Sequence, residues 1–272
     1  MQPKFAFTVN APDVRTKGLA WSGDPETIFG KLKEVGYDGV EIFVRDPNEL
    51  DAGTFKRLLG NCGLAVAAVG TGPIVAEDKL CLTHDDVAAR RQAVARGKAV
   101  ADFAAELGAQ MNIGKFRGDV CGNPQKQAWM NEGLLEIAQY AHKKNTLITI
   151  EPQNRFGCDN CNTTQQALAW LRALNAPNVK LMLDVFHMQI DDACIPASFL
   201  EAAGETIHVH FADTNRGCPG SGSIDFALVL RMLKAMRYDR FISMEIKQVP
   251  DSERVARKAL EYVKMLGSFI WE

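Results

Sequence analysis

TLITIE (residues 146–151), VKLMLDV (179–185), TIHVHFA (206–212) and FISMEI (241–246) are four short apolar runs, each interrupted near its end by an acid or a histidine. Runs of this length, apolar on alternate and intervening positions alike, are those of parallel strands buried on both faces. Helical patterns lie between them, near 163–174 and 196–203, from 225 to about 236, and from 251 to 266. Toward the N-terminus the same alternation recurs. Strands are expected at 5–10, 39–44, 64–70 and 110–114, and helices from Asp24-Pro25 to about Val35, over 47–59, beyond Thr83, and over 124–142. Asp24 followed by Pro25 reads as an N-cap with proline at the first helical position. Thr83 with Asp86 three residues later reads as a variant capping box.

Eight strand–helix repeats favour closure into a barrel over an open doubly wound sheet. The glycine fingerprint of a dinucleotide site is missing after the first strand, where Asn10-Ala11-Pro12-Asp13 stands. The expectation is an α/β protein of the TIM-type (β/α)8 class, one catalytic domain over residues 1–272. The length of 272 residues suits it, since such a barrel typically needs roughly 250.

Composition narrows the function. Apolar residues make up 47% and charged residues 24%, ordinary for a globular chain. A net charge of −2 gives no electrostatic footprint for nucleic acid or an anionic membrane. No apolar run approaches the roughly 18 residues of a membrane span, and the first residues lack a signal-peptide pattern, so a cytoplasmic location is expected. Seven cysteines do not form a secreted disulfide framework, and Cys158-Asp159-Asn160-Cys161 has no second ligand pair beside it, so it reads as two ordinary thiols in a loop.

In this fold the chemistry sits at the C-terminal ends of the strands. Glu151 ends the fifth strand, Asp184 the sixth and Glu245 the eighth, while His208 and His210, two apart, face one side of the seventh. Buried carboxylates cost several kcal/mol each unless paired or bound to metal. Three of them converging beside a histidine repel one another, and a divalent cation resolves that repulsion. Glu151, Asp184, Glu245 and a histidine of the seventh strand are therefore the expected metal ligands. Mixed oxygen and nitrogen donors suit one Mn²⁺, Co²⁺, Mg²⁺ or Zn²⁺, and the residues themselves do not choose among them.

The stretches 150–156 (IEPQNRF), 183–188 (LDVFHM), 208–216 (HVHFADTNR) and 219–226 (PGSGSIDF), with 44–47 (VRDP) and 70–72 (GTG), resemble the D-tagatose 3-epimerase group of the xylose isomerase-like TIM barrels, the sugar isomerase/epimerase superfamily. The resemblance runs from the first strand to the last. It implies Glu151, Asp184, His210 and Glu245 as the four metal ligands, with Glu151 and Glu245 also the catalytic acid/base pair. It implies that His187 and Arg216 grip substrate oxygens near C1 and C2. The implied reaction is C3 epimerisation of a ketose or ketose phosphate through a cis-enediolate, with the metal as Lewis acid.

One position departs from the group, where Gly157 stands in place of a glutamate that contacts substrate. The loop after the fourth strand adds Lys115 and Arg117, two cations that could hold a phosphate or carboxylate of the substrate. An isomerase of a small keto acid, of the hydroxypyruvate isomerase kind, is therefore an alternative; an inosose-type dehydratase is another. A nuclease of the endonuclease IV type needs a trinuclear zinc cluster, and five histidines with an acidic balance do not supply it. A non-catalytic sugar-binding barrel is the rival of a different class. The expected partner is a small sugar or keto acid, with no nucleic acid and no membrane. As in relatives, a homo-oligomer, dimer or tetramer, is expected.

Overall fold

In a computed structural model describing residues 2–271, eight parallel strands form one closed barrel in chain order. They are β1 (Lys4–Asn10), β2 (Gly39–Phe43), β3 (Ala65–Gly70), β4 (Gln110–Ile113), β5 (Ile148–Ile150), β6 (Val179–Asp184), β7 (Thr206–Phe211) and β8 (Phe241–Met244). β1 closes the barrel by pairing with β8, Lys4 opposite Phe241 and Phe7 opposite Met244. Helices cover the outer faces, which is why outward residues such as Val40, Ile42, Val69, Val209 and Ile242 are fully buried.

The elements follow local chemistry. Asp24 caps the helix Pro25–Val35 by accepting from the Thr27 amide, and Gly36 ends it in the left-handed conformation at φ 102°. Thr163 and Gln166 form a reciprocal capping box on the helix Thr164–Leu174. Three expectations shift. The helix over 47–59 divides into a 3₁₀ turn, Pro47–Glu49, and a helix, Ala52–Cys62, because Asp51 caps a fresh start. The helix Val87–Glu106 is capped by Asp86 alone, without Thr83. Two seven-residue helices stand where none is expected: Gly72–Asp78, in what reads as a loop, and Val185–Asp191, whose first residue alone reads as the end of the sixth strand. No helix among the described residues is long and apolar enough to cross a membrane.

The barrel interior is unusually polar at mid-height. Thr8, Glu41, Asn112, Thr149, His208 and Ser243 are all within a few per cent of full burial. The register explains their meeting: Thr8 lies opposite Glu41, and Asn112 opposite Thr149. Above this layer, Gly114 is where the chain must come close. A Cβ there would stand 2.5 Å from Glu151 Oε2 and 2.6 Å from Gln153 Nε2, so only glycine leaves Glu151 its place.

Arg117 corrects an expectation. It is fully buried and does not line the cavity at the strand ends. Its guanidinium donates to the carbonyls of Gly114, Glu151 and Asn160 and to Asn160 Oδ1, at 2.8–3.0 Å. It pins the loops after β4 and β5 to each other. The segment it holds contains Cys158 and Cys161, both free thiols, and burial pushes Cys161 up to about 11, too high for a thiolate nucleophile. Replacing Arg117 by methionine should destabilise the fold by at least about 3 kcal/mol, since several buried charge-assisted bonds are lost at once. Urea unfolding measures it, and a loss under about 1 kcal/mol would return Arg117 to the list of substrate cations.

Candidate active site

The C-terminal mouth of the barrel holds a cavity of 410 Å³ lined by Glu41, Glu151, His187, His210, Arg216 and Glu245, with Lys17 and Lys115 toward its rim. Four side chains delivered by four consecutive strands meet there, Glu151, His210 and Glu245 lining the cavity and Asp184 fully buried beside them. Glu151 directly follows β5, its amide bonded to the Ile113 carbonyl. Asp184 ends β6 and, by accepting from the Phe186 amide at 2.8 Å, starts the helix Val185–Asp191. His210 sits opposite Asp184 in the β6–β7 register. Glu245 follows β8, its amide bonded to the Phe211 carbonyl. One donor atom from each lies within 4.8 Å of all the others.

His210 is the centre of this arrangement. Its Nε2 is 2.7 Å from Glu41 Oε2. Its Nδ1 faces Glu245 at 3.3 Å, Glu151 at 3.9 Å and Asp184 at 4.0 Å, and has no hydrogen-bond partner despite being buried. A buried ring nitrogen aimed at three carboxylate oxygens is what a cation-binding donor set requires. Oxygen and imidazole donors of this kind fit a divalent ion.

The electrostatics follow from burial. Burial pushes the Glu151 carboxyl up; His210 and Arg216 pull it back and Asp184 adds to the rise, leaving it above the ordinary value. Burial also disfavours the Asp184 carboxylate, but Arg216, His187 and His210 outweigh it and hold Asp184 low. Arg216 reaches both Asp184 and Glu245 with its guanidinium, which lies 4.5 Å from the centre of the Phe186 ring. Its loop is held by the buried Asp213 carboxylate, which accepts from the Thr214, Gly220 and Ile224 amides. The backbone of Arg216 itself is left-handed, at φ 60°.

His187 lies on the helix after β6. Its Nδ1 faces the amide nitrogen of Asn154 and, at 2.7 Å, the Asn154 side chain, while its Nε2 lies 3.8 Å from both Glu151 and Asp184. Accepting at Nδ1 leaves the proton on Nε2, toward the cavity. Burial, outweighing Asp184, pushes its pKa down to about 3.

The structure thus brings Glu151, Asp184, His187, His210, Arg216 and Glu245 together and places Lys115 at the rim. Three residues that the sequence left without a role join them. Gln153 donates to Glu151 Oε2 at 2.6 Å. Asn112 donates to Glu41 Oε1 at 2.7 Å, and Glu41 binds His208 and His210 through Oε2. The available signal for Glu41 was a single acid between Val40 and Ile42 in an otherwise apolar strand.

A histidine kept neutral by burial takes up a proton on unfolding below its ordinary pKa. The folded state therefore loses stability as pH falls from about 6.5 toward 3, by up to about 1.4 kcal/mol per pH unit from this group. Urea titrations of the chelator-treated protein at pH 7, 6, 5 and 4 should show a shallower acid slope for His187→Gln than for wild type. Equal slopes would mean that His187 is protonated in the folded state.

Residues 29–266 match the model of the xylose isomerase-like TIM barrel family. A ketose 3-epimerase of Arthrobacter globiformis is 30% identical over 240 residues, covering 82% of this chain and 79% of that one. An L-ribulose 3-epimerase of Mesorhizobium japonicum is 29% identical over 232 residues, covering 81% and 74%. Among solved structures, a D-allulose 3-epimerase from Methylomonas sp. in complex with D-allulose superposes with a TM-score of 0.81 at 26% identity, covering 97% of each chain. With the barrel closed and the match spanning nearly all of it, the chain belongs to the xylose isomerase-like TIM barrel family, among the sugar isomerases that include the ketose 3-epimerases.

Proposed function

We propose that this chain is a metal-dependent epimerase that inverts C3 of a ketose or ketose phosphate, with Glu151 and Glu245 as its acid/base pair. The carrying observation is the convergence of Glu151, Asp184, His210 and Glu245 within 4.8 Å, in a chain whose relatives are ketose 3-epimerases. These four would hold one divalent ion, manganese first and cobalt, magnesium or zinc after it; the unpartnered His210 Nδ1 is the donor that speaks for it. When bound, such an ion supplies Lewis acidity beside the carbonyl end of the sugar.

The protein's own groups do the rest. Glu151 comes from β5 and Glu245 from beyond β8, so two carboxylates reach the cavity from separate strands. One takes the C3 proton and the other returns a proton to the opposite face of the planar cis-enediolate, which inverts the centre. A carboxyl raised by burial, as at Glu151, is a better base than an exposed one. Gln153 fixes the orientation of Glu151 through its 2.6 Å bond. His187, with Nε2–H facing the cavity, and Arg216 hold substrate oxygens near C1 and C2.

One observation favours a second reading, in which the substrate carries an anionic group. Lys115 is exposed at the rim and makes no ion pair among the described residues. Its Cε lies 3.4 Å from where a Cβ of Gly157 would stand, so the ammonium end occupies space that the small residue leaves open. A ketose phosphate or a small keto acid would use that charge.

Two experiments separate these readings. Glu151→Gln and Glu245→Gln should each slow incorporation of solvent deuterium at C3 of a ketose by about 10²–10⁴-fold. More than roughly one-tenth of wild-type exchange in either variant would sink the two-glutamate mechanism. Lys115→Ala should raise KM at least about tenfold for ketose phosphates or hydroxypyruvate if the anionic reading holds, that being the worth of one charge-assisted bond. An unchanged KM across all substrates turned over removes that reading.

A further inference from the structure

Glu41 is the largest unexplained feature of the barrel interior. It is a carboxylate at zero exposure, in the middle of β2, and it belongs neither to the acid/base pair nor to the four donors facing the cavity floor. No lysine or arginine reaches it among the described residues; its partners are two imidazoles and one amide. A buried carboxylate costs several kcal/mol unless its bonds are fully made, and an apolar residue would fill the space without that cost.

The direction of its bonds shows what it does. Asn112 is fixed by the Thr149 hydroxyl, which donates to its Oδ1, so it presents Nδ2 to Glu41 Oε1 at 2.7 Å. That leaves Oε2 for the rings, and it lies 2.8 Å from His208 Nε2 and 2.7 Å from His210 Nε2. A carboxylate can only accept, so each ring must put a proton on Nε2. For His210 the consequence is that a neutral ring has its lone pair on Nδ1, the atom that faces Glu151, Asp184 and Glu245. With the other tautomer, Nδ1 would carry a proton pointed at the same three carboxylates and could not donate to a cation.

We infer that Glu41 is a positioning residue that sets the tautomer and the angle of the His210 ring, and through it the site's affinity for a divalent cation. The inference rests on the proposed cation site for its second half only; the tautomer follows from the bonds in the barrel interior. Such partners of a liganding histidine typically govern metal affinity by about 10–100-fold. The role is separate from that of His208, which shares the same carboxylate oxygen but is not among the four donors.

The test uses the full chain with ¹⁵N-labelled histidine. In Glu41→Gln, the Asn112 amide keeps the glutamine oxygen and turns its NH₂ toward the rings, which must then accept at Nε2. Long-range ¹H–¹⁵N spectra of the metal-free protein at pH 9 should show His210 protonated at Nε2 in wild type and at Nδ1 in the variant. Calorimetric titration with Mn²⁺ should show affinity falling about 10–100-fold in Glu41→Gln. In His208→Gln the His210 tautomer should be unchanged and the affinity within threefold of wild type. A role in stability alone would instead lower the melting temperature of the metal-free protein and leave tautomer and affinity in place. Should Glu41→Gln not fold, Glu41→Asp keeps the charge but shortens the reach, and affinity should fall at least fivefold. The inference is overturned if wild-type His210 carries its proton on Nδ1, or if the folded variant keeps both tautomer and affinity. If the tautomer switches as expected but wild type binds no Mn²⁺, Co²⁺, Mg²⁺ or Zn²⁺, the cation site fails while Glu41's control of the ring stands.

Discussion

Four carboxylates converge on one imidazole: Glu41 at 2.7 Å from Nε2 of His210, and Glu245, Glu151 and Asp184 at 3.3, 3.9 and 4.0 Å from its Nδ1. Coulomb repulsion among them in a water-poor barrel would push them apart or protonate them. Much of the surrounding structure holds them where they are. Arg216 lies across Asp184 and Glu245, and its loop is folded around the buried Asp213 carboxylate to keep it there. Gln153 ties down Glu151, and Gly114 gives that carboxylate room. Burial raises both Glu151 and Asp184 while Arg216 and the imidazoles lower both; burial prevails at Glu151 and its opponents at Asp184, so two carboxyls in one site have different acid strengths.

The parts of this arrangement that sequence made legible share one property: their meaning depends on strand position alone. Glu151, Asp184, His210 and Glu245 each end or nearly end an apolar run, and the fold gathers strand ends at one mouth, so alternation and count were enough. Arg117 and Lys115 show where that logic stops. Two residues apart on one loop, they are chemically alike in sequence, yet one is bonded to backbone carbonyls inside the protein and the other is exposed at the rim. Their difference is set by a 3₁₀ turn, Lys115–Arg117, whose geometry no residue pattern announces. The helices Gly72–Asp78 and Val185–Asp191 were missed for a related reason. Each is only two turns long, too short for a periodic apolar face. Asp184 hides the second by being strand end and helix cap at once.

Glu41 is a different kind of omission. A lone glutamate within a strand carries no pattern, and its partners lie 71, 167 and 169 residues away in the chain. Yet the strand around it has both faces buried, so its side chain had to stay inside the barrel. An acid in a strand of a closed parallel barrel must find its partners inside the barrel, and the candidates there were few: the histidines of β7 and the amide of β4. The constraint was available; the pairing was not, because it depends on the register of strands that are not neighbours.

The site separates two tasks by height. The strand-borne groups, packed from beneath by the polar layer around Glu41, have little freedom: three of the four donors are buried, and each is fixed by a backbone bond or a side-chain partner. The rim is built from loops, and its charges, Lys17 and Lys115, are exposed. Proton transfer needs fixed geometry to within a few tenths of an ångström, and rigid elements supply it. Substrate choice tolerates, and is altered by, changes in loops. A loop feature such as glycine at 157 with a lysine beside it can therefore alter what the cavity accepts while leaving its floor untouched, which is why the convergence of strand-end groups and the fit of a substrate at the rim are separable.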